Sequence, residues 1–369
     1  MMEQQVTKKI VAHFDIPYLS FLDNEGRVLQ ALPSLAQEVS HLKKLYQSMV
    51  IARVFDAKAI ALQRTGKLGT YPSILGQEAL GVGMGAAMKP EDVLCPYYRE
   101  VPAQFWRGVS MLEILLYWGG EEIGSCFQDP SVQQDFPICV PIGSQTLHAV
   151  GVATAFKLRN EPRVAVASVG DGGTSRGDFY EAVNLAGAWK LPVVFVINNN
   201  GWAISVPRSI QSAAETLAQK GIAGGLACEQ VDGNDVIAVQ YAVQSAIERA
   251  REGRGATVIE ALTYRMGDHT TADDARRYRN ATELEQYQKK DPITRLKNYL
   301  MNIKAWDEAQ EQKLQKEAQE SVAQTVAAYA KYPIRKPETM FDYLYETLPE
   351  AYKAQREEVA QLKEISHHG

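Results

Sequence analysis

A chain of 369 residues has room for two ordinary domains, or for one large α/β domain with helical attachments, at roughly 150 residues per domain. Hydrophobic residues make up 46% and charged residues 22%, which is enough apolar material for a large core and too little charge density for disorder, so tails and small disulfide scaffolds are excluded. Lys and Arg number 39 against 44 Asp and Glu, for a net charge of -5, and this balance gives no electrostatic footprint for nucleic acid as a main partner.

Residues 1–36 read as an extended arm in which two short apolar runs flank a turn at Asn24-Glu25-Gly26. The opening MMEQQVTKKIVAHFDIPY lacks a secretory apolar core, and no stretch approaches the roughly 20 apolar residues of a bilayer span. From Glu38 to Arg64 the apolar spacing predicts a long amphipathic helix closed by Thr65-Gly66. A helix from Gln77, a short apolar run Val93–Tyr98, a helix near Ser110–Trp118 and an irregular stretch to Val140 follow.

Helix Gln145–Leu158 then leads to strand Val164–Val169, helix Ser175–Trp189, strand Val193–Ile197, strand Cys228–Val231, helix Val236–Glu252 and strand Thr257–Leu262. Short strands that are apolar throughout, separated by helices, predict a doubly wound α/β domain with a parallel sheet covered on both faces, over residues 37–280. Residues 281–369 turn to charged helical segments (Glu283–Lys290, Ile293–Leu300, Asp307–Tyr332 and Glu350–Ile365), read as packing material or an interaction surface. His367 and His368 read as solvated. The four cysteines, Cys95, Cys126, Cys139 and Cys228, have no CxxC spacing, so neither zinc nor a disulfide framework is indicated, and a reducing cytoplasm is the expected location.

Chemistry concentrates between Val164 and Ser205. One buried strand ends at Gly170-Asp171-Gly172-Gly173 and the next at Asn198-Asn199-Asn200, which aims Asp171 and Asn200 into one crevice outside adjacent strand ends. A carboxylate beside a bound diphosphate is repulsive unless a divalent cation lies between them, and a hard ion such as Mg2+ takes oxygen from carboxylate, amide, carbonyl, phosphate and water. Either fragment alone also fits an ordinary turn. The pair, with 26 residues between Gly172 and Asn199 and a strand before each, is the GDG…NN signature of thiamine-diphosphate enzymes.

Further segments extend the match: Gly76-Gln77-Glu78-Ala79, Pro96–Pro102 (PYYREVP), Asn199–Ser205 (NNGWAIS), Val231–Val236 (VDGNDV) and Thr263–Asp274 (TYRMGDHTTADD). In this order, over about residues 18–350, the chain resembles the α subunits of two-component 2-oxo acid dehydrogenase E1 enzymes, nearest to the pyruvate branch with the branched-chain branch close behind. The resemblance implies a thiamine-diphosphate-binding fold with thiamine diphosphate and Mg2+ as cofactors. It implies oxidative decarboxylation of a 2-oxo acid, here pyruvate, and reductive acetylation of a lipoyl group on the lipoyl domain of E2.

By that resemblance Asp171, the Asn200 side chain and the Trp202 carbonyl bind Mg2+, and Gly172, Gly173 and Ala203 line the diphosphate. Tyr98 and Arg99 correspond to the phosphate-contacting pair, for which a guanidinium fork is suited. Val140 and Ile142 meet the aminopyrimidine through their backbone, and His269 is the active-site histidine, expected to titrate near neutrality. His148 reads as a core residue or one behind the site. Tyr97, beside the pair, bears on acyl-chain size without a readable preference. Relatives often carry histidines in the Gly119–Phe127 region, where this chain has GGEEIGSCF, which weakens the substrate assignment.

The glutamate that protonates the pyrimidine ring belongs to a second α/β domain. Only one such sheet is read here, Glu78 looks structural, and the resemblance places the other domain on an E1 β subunit in an α2β2 heterotetramer. Two rivals are a non-catalytic Mg2+/diphosphate-binding regulatory subunit, which needs neither Arg99 nor His269, and a split transketolase-like domain, which lacks the TYRMGDHTTADD loop. Three fragments are set aside: Arg176-Gly177-Asp178 opens a helix, Gly81-Val82-Gly83-Met84-Gly85 follows no strand and serves helix packing, and Lys313–Glu320 is a solvated helix face.

Overall fold

The computed structural model describes residues 8–333 and 335–361. Six strands form one sheet: β1 (Tyr18–Leu19), β2 (Val93–Cys95), β3 (Ala165–Gly170), β4 (Val193–Asn199), β7 (Ala227–Asp232) and β8 (Thr257–Leu262). Their order is β1-β7-β8-β4-β3-β2, and every pairing is parallel. A two-residue hairpin, β5 (Trp202–Ala203) with β6 (Val206–Pro207), stands apart from it.

Side-chain alternation along the strands separates two cores. Val166, Val194, Val196 and Ile259 face one apolar cluster with α1 (Val39–Arg64), α2 (Glu78–Ala87) and α8 (Val236–Arg251). Ala167, Val169, Phe195 and Val258 face the other, with α5 (Ser144–Arg159) and α6 (Gly177–Ala188). Both faces are covered, as expected of strands without a polar side. The glycine row in α2 packs as read: a Cβ on Gly83 would lie 2.7 Å from Val239 Cγ1, so bulk there would push α8 away.

The structure departs from the sequence reading in several places. The arm is more than an arm, because β1 extends the sheet at Tyr18↔Gln230 and Leu19↔Val231. A short helix α3 (Val101–Arg107), with proline in its first turn, precedes α4 (Met111–Trp118), and its seven residues are too few for periodicity to reveal. The glycines after β3 do not lead straight into an α-helix: Asp171–Ser175 winds as a 3-10 turn, and α6 begins at Gly177. His148 is exposed and stacked on Phe136 at 5.4 Å, because α5 turns Gln145, Thr146, Ala149 and Val150 inward instead.

After a four-residue turn of helix, α7 (Arg208–Gln211), and the last strand come α9 (Ala281–Gln288), α10 (Pro292–Asn302), α11 (Glu308–Ala330) and α12 (Glu350–Ala360). The Glu311 carboxylate of α11 accepts from Tyr46 Oη at 2.7 Å and Trp306 Nε1 at 3.0 Å, joining the tail to α1. On its outer face Lys313–Glu317 and Lys316–Glu320 are exposed i,i+4 pairs. The expected last turn of α12, residues 362–365, and His367 and His368 lie outside the described residues. No described helix is long and apolar enough to cross a membrane.

Asp235 ties the arm to the sheet. Its Oδ1 caps α8 by accepting from the amides of Ile237 and Ala238, while Oδ2 accepts from the amides of Phe21 and Leu22, both at 2.7 Å. Replacing Asp235 with Ala should cost about 2–3 kcal/mol of stability, since a cap and charge-assisted bonds are lost together. Asp235→Asn should lose about half as much, keeping the cap oxygen but turning N–H groups toward the arm's donors. Urea denaturation of the chain measures both, and a loss below about 0.5 kcal/mol for Asp235→Ala would refute the clamp.

Candidate active site

Loops after four neighbouring strands, β2, β3, β4 and β8, converge at the carboxyl edge of the sheet. They enclose a cavity of about 200 Å3 lined by Tyr98, Arg99, Ile142, Asp171, Gly172, Gly173, Asn200, Trp202, Ala203 and His269, with Tyr97, Gln145 and Ile204 among the remaining residues. All but one of the sequence-predicted site residues are brought together. Val140 does not line the cavity and stands 48% exposed two residues from Ile142. A larger open cavity of about 620 Å3 lies beside it, toward β1, β7 and α9, but it lacks Asp171, Arg99 and His269.

The Asp171 side chain is 2% exposed and its Oδ2 has no hydrogen-bond partner. Burial pushes its carboxyl up to about 6. A carboxylate oxygen withheld from water and from every donor is a strong demand for a cation. Gly172 and Gly173 leave a bare backbone floor: a Cβ on Gly172 would lie 2.6 Å from Ala203 Cβ, and one on Gly173 2.5 Å from Val169 Cγ2. Asn200 turns its Oδ1 to the Trp202 amide at 3.2 Å. No cluster of three His, Cys, Asp or Glu occurs among the described residues, so any metal here is held by one carboxylate together with neutral oxygens and ligand oxygens.

Positive charge gathers on the opposite wall. Arg99 is 2% exposed and donates to the carbonyls of Ser73 at 2.5 Å and His269 at 2.6 Å. Arg265 is fully buried and donates to Ile204 O at 2.8 Å and Tyr278 Oη at 2.6 Å. Neither forms an ion pair among the described residues. Glu100, adjacent in sequence to Arg99, makes no ion pair with it, and burial pushes its own carboxyl up to about 8. Asp273, which accepts from Tyr278 Oη and from the His269 amide at 2.8 Å, reaches Arg265 only through that tyrosine, and two buried guanidiniums without a direct carboxylate partner favour an anion such as a phosphate.

His269 sits between them. Its Nδ1 accepts from Arg99 Nη2 at 3.1 Å and from Arg265 Nη1 at 3.3 Å, which places the ring proton on Nε2. The expectation of titration near neutrality is corrected here: burial, then Arg99 and Arg265, lower its pKa to about 4, and the imidazole is neutral. Tyr98 meets the ring edge-on at 6.3 Å.

Residues within the quoted motifs carry parts the motifs did not assign. Arg265 braces the β5–β6 turn, where Ile204 holds φ +57, a left-handed conformation costly for a β-branched side chain. Gln77 accepts from both Asn198 Nδ2 at 3.1 Å and Asn200 Nδ2 at 3.0 Å. The glutamines and asparagines of GQEA and NNNG were visible signals, but their pairing needs the fold. Glu78 is taken up structurally, accepting from Arg53 Nε at 2.7 Å and the Gly76 amide at 3.0 Å.

A parallel sheet whose central carboxyl ends present a carboxylate oxygen without a donor, a glycine floor and two guanidiniums without direct ion-pair partners is an α/β fold of the thiamine-diphosphate type. The profile of the family described as "Dehydrogenase E1 component" matches residues 46–338, and the chain belongs to that enzyme family. It is 42% identical to the "Pyruvate dehydrogenase E1 component subunit alpha" of Acholeplasma laidlawii over 91% of this chain and 97% of that protein. Proteins of the same description from Bacillus cereus (40% identical, 93% and 91% covered) and Bacillus subtilis strain 168 (39%, 91% and 90%) are similar. Membership implies dependence on thiamine diphosphate.

The imidazole gives a pH test. The unfolded ring takes its proton near 6.5 and the folded ring near 4, so folded stability should be lost as pH falls through that window and be unaffected by this group above it. NMR titration of the His269 ring in the free chain should show Nε2–H retained and no protonation down to pH 5, and Arg99→Met should move the midpoint upward. A wild-type midpoint above 6 would contradict the two-guanidinium environment.

Proposed function

We propose that this chain is the α subunit of the E1 component of a pyruvate dehydrogenase complex, acting in the cytoplasm with thiamine diphosphate and Mg2+. The observation that carries the reading is the buried Asp171 carboxylate with an unpaired oxygen, facing a cavity shared with Arg99 and His269. That donor set fits a divalent cation bridging to a diphosphate. The descriptions of the relatives supply the substrate and the subunit.

In this reading Asp171, the Asn200 side chain and the Trp202 carbonyl hold Mg2+, and Gly172, Gly173 and Ala203 line the diphosphate. Tyr98 and Arg99 contact its phosphates, with Arg265 adding charge behind them. Val140 and Ile142 offer their backbone to the aminopyrimidine, and their exposed side chains, 48% and 41%, lie open to a partner. Residues 37–280 form the cofactor domain, flanked by arm 1–36 and helical extension 281–369.

Bound there, thiamine diphosphate supplies a nucleophilic carbon and an electron sink for CO2 loss from a 2-oxo acid. The protein side of the chemistry is positioning and charge. Arg99 and Arg265 hold the His269 ring through Nδ1, so its Nε2–H is free to donate a hydrogen bond to oxygen that gains negative charge on the substrate. The pyrimidine-directed glutamate is assigned to an E1 β subunit in an α2β2 assembly, and the lipoyl domain of E2 takes the acetyl group. A non-catalytic regulatory subunit would have no use for the Arg99–His269–Arg265 arrangement.

The chain alone, supplied with thiamine diphosphate and Mg2+, should not decarboxylate 2-oxo acids, and adding the β subunit should produce activity. Asp171→Ala in the assembled enzyme should abolish Mg2+-dependent cofactor binding in calorimetry, and unchanged affinity would refute its role. Turnover on pyruvate should exceed that on 3-methyl-2-oxobutanoate by about tenfold or more, the scale at which pocket size discriminates. The reverse order would move the assignment to the branched-chain enzyme.

A further inference from the structure

We infer that Gln77 is a positioning residue that, with the Trp202 amide on the other side, holds the orientation in which the Asn200 amide meets the cavity, and so sets the site's competence for a divalent cation. The inference rests on the function proposed above. An asparagine can ligate a hard cation only through its oxygen, so the wrong amide orientation would present N–H groups to the metal. Hydrogen-bond partners must therefore decide the orientation.

The partners form a chain with one irreversible end. The Trp202 amide is a backbone donor that cannot act as an acceptor, and it points to Asn200 at 3.2 Å. That bond defines the Asn200 atom there as Oδ1. The other side of the amide, Nδ2, then faces Gln77 at 3.0 Å, so Gln77 must turn its Oε1 toward it. The same Oε1 takes Asn198 Nδ2 at 3.1 Å, and Asn198 Nδ2 also meets Tyr97 Oη at 2.8 Å, with Thr263 Oγ1 donating to Asn198 Oδ1 at 2.5 Å. Every member from Gln77 to Thr263 is buried, so water cannot replace a missing acceptor.

Gln77 bears a cost in this arrangement. Its side chain is 2% exposed, and its Nε2 is buried without an acceptor. A buried donor left unpaired costs about 1–3 kcal/mol, so a purely structural glutamine at this place would be better replaced by an apolar residue. The saturated Oε1 is what this residue contributes. Gln77 itself is delivered by the turn before α2, where its amide donates to Ile74 O at 2.9 Å and Gly76 adopts φ +88. A residue 123 positions before Asn200 thus helps to hold how that second metal-binding side chain is presented.

The test uses the chain assembled with its β subunit, with Mg2+ titrated calorimetrically at saturating thiamine diphosphate. Gln77→Met removes the acceptor at near-constant volume and should weaken Mg2+ binding by about tenfold or more, the usual scale for residues that orient metal ligands. Gln77→Glu keeps an oxygen facing both amides and should bind Mg2+ at least as tightly as the unaltered enzyme. Assembly mass and melting temperature, read alongside, report the structural role separately. Mg2+ affinity within about twofold in an assembled Gln77→Met enzyme would overturn the inference, as would equal loss in Gln77→Met and Gln77→Glu. Should Gln77→Met not assemble, Gln77→Asn decides on the same thresholds, because it keeps the amide but withdraws its oxygen by about one bond length. If the unaltered enzyme shows no Mg2+-dependent cofactor binding, the functional assignment fails first and independently.

Discussion

Two guanidiniums, Arg99 and Arg265, meet on the unprotonated Nδ1 of a single imidazole, and neither makes a direct ion pair, Asp273 reaching Arg265 only through Tyr278 Oη. Taking such charges out of water costs several kcal/mol each unless a counter-charge is present. The fold holds them there by tethering each guanidinium to main-chain carbonyls, Ser73 and His269 for Arg99 and Ile204 for Arg265. In the same cavity, Asp171 Oδ2 has no hydrogen-bond donor. Separated charges of opposite sign around one cavity are stable as a set only when something polarised in the same sense lies between them. A cation-bound anionic cofactor has that polarity.

The contrast with the other buried acids is instructive. Glu260 accepts from Asn199 Nδ2, from the amides of Leu217 and Ala218, and from Gln230 Nε2, so that both oxygens are consumed. Asp235 is divided between the arm and the start of α8, and Asp92 is held by Arg251 and by the Val164 amide. These carboxylates are structural in a definite sense: their hydrogen-bonding capacity is spent inside the chain. Glu100 also keeps a buried oxygen without a donor but does not line the cavity, and Asp171 is the acid there whose capacity is left open.

Much of this was legible in the residues themselves, and what was not has physical causes. Strands such as Val193–Asn199 are apolar at every position because helices cover both faces, and this leaves a continuous run that needs no partner to be recognised. Strand β1 is two residues long and exists only through its neighbour β7, so no local pattern could announce it. His148 lies between apolar residues in sequence, yet the helix turn carries it outward. The protonation state of His269 depends on Arg99, 170 residues away, and a motif read in one dimension contains no burial term. The GDG…NN spacing located the crevice correctly, whereas the Gln77–Asn200 bond joins segments related only by the sheet.

The clamp at Asp235 has a further bearing on how the molecule comes into being. Phe21 and the carboxylate that holds it are 214 positions apart, so the first strand emerges from the ribosome long before its docking place exists. At typical rates of about 5–20 residues per second, that interval is on the order of 10–40 s. Throughout it the amides of Phe21 and Leu22 lack the carboxylate that accepts from them in the folded chain. The first strand made can therefore pair only with one made more than 200 residues later, and for the arm synthesis and pairing are far apart in time.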